Sequence, residues 1–111
     1  MGDLQCECSC KQIKFSVPYR PKDIAQCYCT LCKYLHQKPF VDFAKYEKDQ
    51  ISLDFNKMRS VKSSPRAVRY RCNTCNDWIG MVYNDSDNIW VVCDNFLFSC
   101  HDIETYSINN I

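Results

Sequence analysis

Seven cysteines fall in three tight clusters: Cys8-Ser9-Cys10, Cys27-Tyr28-Cys29-Thr30-Leu31-Cys32 and Cys72-Asn73-Thr74-Cys75. This spacing constrains the fold more than any other feature of the chain. Thiols two or three residues apart can be aimed at one point, which is the geometry a metal ion needs. A structural zinc takes four such ligands in a closed tetrahedron; a catalytic zinc takes three protein ligands and keeps a fourth position open. Four plus three accounts for all seven, so the count suggests one site of each kind.

Disulfides are the competing use of these residues. Ten cysteines in 111 residues is also the density of a secreted disulfide scaffold. Two features favour metal. The N-terminus, Met1-Gly2-Asp3-Leu4-Gln5-Cys6, has no apolar run of the signal-peptide kind. Bridging near neighbours strains the ring and closes almost no loop. No stretch approaches the ~20 apolar residues of a membrane span. The expectation is an intracellular, soluble chain without a membrane partner, cytoplasmic, with the nucleus also open to it.

A length of 111 residues accommodates one core, so residues 1–111 are expected to form a single zinc-binding domain. Hydrophobic residues at 46% and aromatics at 14% make the chain globular rather than disordered. A net charge of +1 argues against a general nucleic-acid binder.

Short alternating segments dominate. Ile13, Phe15 and Val17 alternate with Lys14 and Ser16, the pattern of a half-buried strand between Cys10 and Pro18. The second cluster is expected in a loop, followed by one helical turn over 33–38. Phe40–Ala44 and Ile51–Phe55 read as strands, and residues 56–65 as a loop holding a short strand near Met58–Val61. Arg66–Cys72 alternates again, with Ala67, Val68 and Tyr70 as candidates for burial. Trp78–Tyr83 and Ile89–Cys93 flank the turn signal Asn84-Asp85-Ser86-Asp87-Asn88. Ile103–Ile108 reads as a final edge strand. The sum is a mainly β domain of antiparallel strands built around metal knuckles.

One Cys-x-Cys and one Cys-x-x-Cys from distant strands complete a four-sulfur tetrahedron. Cys8 and Cys10 open the first strand, and Cys72 and Cys75 sit at a turn between two later ones, so joining them would staple the sheet. That leaves Cys27, Cys29 and Cys32, which can bind one zinc with an exchangeable position. Such a zinc can ionise an incoming thiol.

Cys8-Ser9-Cys10-Lys11-Gln12-Ile13-Lys14-Phe15, Cys27-Tyr28-Cys29-Thr30-Leu31-Cys32-Lys33 and Arg69-Tyr70-Arg71-Cys72-Asn73-Thr74-Cys75 together resemble the glutathione-dependent formaldehyde-activating family, which includes centromere protein V. The resemblance runs from residue 8 to about residue 95, with all seven cysteines in order. It implies a β-tent fold with two zinc ions. It also implies a structural site of Cys8, Cys10, Cys72 and Cys75, and a catalytic or substrate-binding site of Cys27, Cys29 and Cys32. The implied reaction is that of a carbon–sulfur lyase, joining glutathione and formaldehyde as S-hydroxymethylglutathione. The alternative is a non-catalytic zinc-stapled module that binds a protein or filament. Lys11 and Asn76 stand where the family has Gly, and Tyr28 where it has His. Gly at such positions marks backbone with φ > 0, which Asn tolerates better than Lys.

The remaining cysteines and histidines read more plainly. Cys6 offers a rival Cys-x-Cys pair with Cys8 but reads better as a spare thiol. Cys93 reads as a buried core thiol, Cys100-His101 as a surface or core pair, and His36 as a solvent-exposed residue rather than a fourth ligand of the middle site. Lys57, Arg59, Lys62, Arg66, Arg69 and Arg71 form a run without an intervening acid. It reads as a solvated face, or as an anion site for glutathione carboxylates or for a protein or filament partner.

Overall fold

The computed structural model describes residues 4–18, 21–95 and 105–108. Among these, the chain is mainly β. Nine strands run β1 Leu4–Glu7, β2 Lys14–Val17, β3 Asp23–Cys27, β4 Val41–Glu47, β5 Met58–Ser64, β6 Ala67–Cys72, β7 Trp78–Tyr83, β8 Asn88–Val92 and β9 Thr105–Ile108, with a helix α1 over Thr30–His36. β1 and β2 form a hairpin, and the other seven form one sheet in the order β5-β6-β7-β8-β4-β3-β9. Every pairing is antiparallel except β3 with β9, which is parallel at the sheet edge.

Side chains alternate across a strand, so each strand presents two faces. Both faces of the large sheet are buried. On the first, Ile24, Ala44, Tyr46, Ile79 and Val91 pack against Cys6, Phe15 and Val17 of the hairpin. On the second, Ala25, Cys27, Phe43, Met81, Trp90 and Val92 form a separate cluster that takes in Cys32 of α1. Each fully buried Tyr, Phe or Ile contributes ~1.5–3 kcal/mol of hydrophobic stabilisation. The helix is fastened from below, where the Trp78 indole donates to the Leu35 carbonyl at 3.2 Å. The Asn95 side-chain amide ties the ends of β7 and β8 by donating to the carbonyls of Trp78 and Val92 at 3.0 and 3.1 Å.

The strands expected between Cys10 and Pro18 and at Arg66–Cys72, Trp78–Tyr83 and Ile89–Cys93 are present as Lys14–Val17, Ala67–Cys72, Trp78–Tyr83 and Asn88–Val92, and a strand lies within the expected 103–108 edge. β4 and β5 run longer than their apolar cores suggest, to Glu47 and Ser64. Three expectations need correction. Ile51–Asp54 pairs with no strand and leads into a short 3-10 helix at Phe55–Lys57; Ile51 is buried there and Leu53 half-buried against the first core, which gives the same alternation. The second cluster is not wholly in a loop, because α1 begins at Thr30 and takes Cys32 into its first turn. Cys93 does not end a strand: it is half-buried and opens the 3-10 turn Cys93–Asn95.

Candidate metal centres

The two cysteine groups sit on opposite faces of the sheet. Cys8, Cys10, Cys72 and Cys75 bring four sulfur atoms within 4.8 Å of one another, and Cys27, Cys29 and Cys32 bring three. None of the described cysteines is in a disulfide.

The first group is built from two matching knuckles. In one, the Cys8 carbonyl accepts from Lys11 N–H at 3.0 Å, and Cys8 Sγ accepts from Ile13 N–H at 3.4 Å. In the other, the Cys72 carbonyl accepts from Asn76 N–H at 3.0 Å, and Cys72 Sγ from Thr74 N–H at 3.3 Å. Each knuckle turns on the residue just after its second cysteine: Lys11 and Asn76 both have φ of 65°. The family's glycines are thus explained by left-handed backbone, and this chain meets the same need with a lysine and an asparagine.

The second group is assembled by a strand end and a helix start. Cys27 is the last residue of β3 and fully buried. Cys29 caps α1, its sulfur accepting from Cys32 N–H at 3.3 Å. Tyr28 between them stacks on Phe40, ring centroids 5.2 Å apart, and donates from its hydroxyl to the Gln26 side chain.

Both groups fit a thiophilic cation. A tetrahedral zinc with Zn–S bonds of about 2.3 Å spaces its sulfurs about 3.8 Å apart. Cys8 and Cys10, and Cys10 and Cys72, stand 3.6 Å apart, and Cys27 and Cys29 stand 3.3 Å apart. All-sulfur donor sets select zinc and other soft ions. Burial and the neighbouring Cys27 sulfur push the Cys32 thiol up to about 12, although the Arg69 guanidinium opposes them. A crowded set of thiols gives up its protons to a cation, and metal binding is then coupled to proton release. The groups differ in number of ligands: four close the first, and no fourth Cys, His, Asp or Glu among the described residues completes the second.

The other candidates fall outside both groups. Cys6 is buried on β1 opposite Phe15, and Cys8 rather than Cys6 supplies the first group. His36 is not solvent-exposed as expected. It is half-buried between Phe43 and Trp78, at centroid distances of 6.1 and 5.6 Å, and burial reinforced by the Arg69 charge pushes its pKa down to about 4. Cys100 and His101 lie outside the described residues.

The basic run is divided by strand alternation. Lys57, Arg59, Lys62 and Arg66 are exposed. Arg71 lies over the Trp78 ring, 4.1 Å from its centroid. Arg69 is 3% exposed and its Nη2 donates to Cys32 Sγ at 3.3 Å. Its charge, which ordinarily marks a solvated position, conceals this place in the sequence. The signal was its parity: it shares a strand face with Ala67, the clearest burial candidate of that segment.

Two cavities flank this arrangement. One of 390 Å³ lies between the C-terminal end of α1 and the Cys72–Asn76 knuckle, with Leu35, His36, Arg71, Asn76 and Trp78 in its walls. The other, of 450 Å³, is bounded by Pro65, Arg66, Tyr83, Asn84 and Asp85. Tyr83 connects it to the second group: the ring packs in the same cluster as Cys27 and Cys32, and burial, with those sulfurs adding to it, pushes its hydroxyl up to about 12.

Among the described residues no helix is long and apolar enough to cross a membrane. A search of curated proteins finds no significant match. A crystal structure of a Rhodobacter sphaeroides protein, solved as a structural-genomics target, superposes with a TM-score of 0.74. It covers 95% of this chain and 100% of its own at 13% identity, which speaks to the fold alone. The family model described as glutathione-dependent formaldehyde-activating enzyme matches residues 3–97, and the chain belongs to that family.

Proposed function

We propose that the Cys27, Cys29 and Cys32 group holds a zinc ion with one position open to an incoming thiol, and that the chain joins glutathione to formaldehyde. The observation that carries this reading is the difference in ligand number between the two groups: four sulfurs converge on one face and three on the other. A closed tetrahedron has only a structural use, whereas an incomplete one can take a substrate. The first group then acts as a second zinc site that staples the β1–β2 hairpin to the β6–β7 turn.

Bound zinc lowers the pKa of a thiol that approaches it, so the thiolate is available at neutral pH. Cys27, Cys29 and Cys32 hold the site from one side, and the sheet and α1 shield Cys27 and Cys32 from water. The thiolate sulfur adds to the carbonyl carbon of formaldehyde. One carbon–sulfur bond forms, the carbon–oxygen π bond becomes an alkoxide, and the proton lost by the thiol ends on the new hydroxyl. No oxidant is needed. In this reading the rest of the thiol lies towards the cavity at Tyr83, whose ring packs in the cluster of Cys27 and Cys32, with Arg66 in the cavity wall as a carboxylate partner.

A second reading is supported by the exposed cations Lys57, Arg59, Lys62 and Arg66 on and beside the edge strand β5. There the same fold is a scaffold that docks an acidic protein or filament surface. Metal analysis and kinetics separate the two. The enzyme reading expects two zinc ions per chain, one in Cys29→Ser, and formaldehyde consumption with glutathione faster than in that variant. One zinc in the wild type sinks it. Two zincs with equal rates leave the scaffold.

A further inference from the structure

We infer that Arg69 is the built-in counter-ion of the triad, and that its charge is what lets the open position take an anionic fourth ligand. The inference rests on the reading of Cys27, Cys29 and Cys32 as a three-ligand metal site. Among the described residues Arg69 is the one buried Lys, Arg, Asp or Glu, and it reaches the triad from β6 with Nη2 3.3 Å from Cys32 Sγ. A buried guanidinium is costly unless it meets an opposite charge.

Charge counting shows what it meets. Three thiolates and a divalent ion carry −1, which Arg69 brings to zero. A thiolate arriving at the open position would make the bare centre −2, and with Arg69 the total falls only from zero to −1. The first group reaches −2 with four thiolates and needs no such partner, because Cys10 and Cys75 are half-exposed and water screens them. The triad is deeper, with Cys27 and Cys32 fully buried. The hydrogen bond to Cys32 also draws electron density from that sulfur, which leaves the metal a better acceptor for a new ligand. Arg69 is therefore a positioning residue that sets ligand specificity: anionic sulfur over neutral nitrogen.

The test uses Co²⁺ in the intact chain, read by its ligand-field and sulfur charge-transfer absorption. With two Co²⁺ bound, only the open site has room for an added ligand. The affinity for 2-mercaptoethanol is compared with that for imidazole, which binds without charge. Arg69→Gln keeps an N–H donor and removes the charge; the thiol-to-imidazole affinity ratio should fall about tenfold or more. Arg69→Lys keeps the charge and should hold the ratio within about threefold of wild type. General loosening of the site would weaken both ligands together and leave the ratio unmoved. A wild-type ratio in Arg69→Gln overturns the inference, as do equal losses in Gln and Lys. If the Gln variant fails to fold or to take a second Co²⁺, the inference stands only where the Lys variant keeps both that ion and the ratio; otherwise it falls. A wild-type chain that binds a single Co²⁺ overturns the three-ligand reading itself, a result distinct from all of these.

Discussion

Ser9 and Asp77 are 68 residues apart in the chain, yet the Asp77 carboxylate accepts both the Ser9 backbone N–H at 2.7 Å and the Ser9 hydroxyl at 2.6 Å. Each belongs to a different cysteine knuckle, so this contact joins the two halves of the first group without involving a sulfur. Partial burial pushes the Asp77 carboxyl up, but the two Ser9 bonds outweigh it and hold the carboxyl below its ordinary range. Asp77 also anchors its own knuckle, its carbonyl accepting from Cys72 N–H at 2.9 Å.

Asp77→Ala should therefore lower stability by about 1 kcal/mol, the net worth of hydrogen bonds in a half-exposed setting. Urea unfolding of the zinc-loaded chain measures it. Metal content should stay the same, because the backbone bond from Cys72 survives. An unfolding midpoint equal to wild type would show that the sulfurs alone hold the knuckles together.

The two cysteine groups should differ in what they do for the fold. Cys75→Ser removes a ligand from a site that joins the hairpin to the main sheet, and structural metal binding is folding free energy. Cooperative thermal unfolding should be lost or strongly lowered, and a chelator should have the same effect on the wild type. Cys29→Ser leaves β3 and the β-sheet pairings of Cys27 in place and should cost only a few degrees in Tm. Circular dichroism melts of both variants check this. Equal losses would contradict the division into a stapling site and a working site.

Much of this was legible in the sequence because cysteine spacing and strand alternation both report local geometry. The two groups follow from the clusters, β2 and β6 follow from period-two patterns, and β7 and β8 follow from apolar runs on either side of the Asn84–Asn88 turn signal. The misses have local causes. β3, Asp-Ile-Ala-Gln-Cys, is too short and too weakly apolar to declare itself. It is held by neighbours on both sides, β4 and β9. β1 is fixed by its pairing with β2. Ile51 and Leu53 alternate like a strand while packing as an unpaired segment. Arg69 was hidden because charge normally marks a solvated face, and its partner Cys32 lies 37 residues away.

Lys11→Gly should stabilise the chain. A side chain at φ of 65° costs ~1–2 kcal/mol, and the added backbone freedom of glycine gives back ~0.5–1 kcal/mol, leaving a net gain of about 0.5–1 kcal/mol. Asn76→Gly has the same backbone geometry but should give no gain. Asparagine tolerates this region, and the Asn76 side-chain oxygen accepts from the Arg59 guanidinium. Paired thermal melts check the contrast. A gain at position 76 equal to that at position 11 would mean that the Arg59 bond contributes nothing.

His36 should give the chain an acid-sensitive component separable from its carboxylates. Its ring lies between Phe43 and Trp78, and its Nε2 is buried with no hydrogen-bond partner. Burial lowers its pKa from 6.5 to about 4, so the folded state resists a proton that the unfolded chain accepts. The sign follows: the unfolded state binds more protons between these values, so stability present above pH 6.5 is lost as pH falls towards 4 and changes no further below it. After allowance for partial exposure the loss is about 1–2 kcal/mol. His36→Phe keeps an aromatic ring against Trp78 and removes the titration. Urea unfolding at a series of pH values from 7.5 to 4, wild type against variant, reads the difference directly. The variant should gain on the wild type steadily across that interval, whereas parallel curves would show that His36 takes up its proton as easily folded as unfolded.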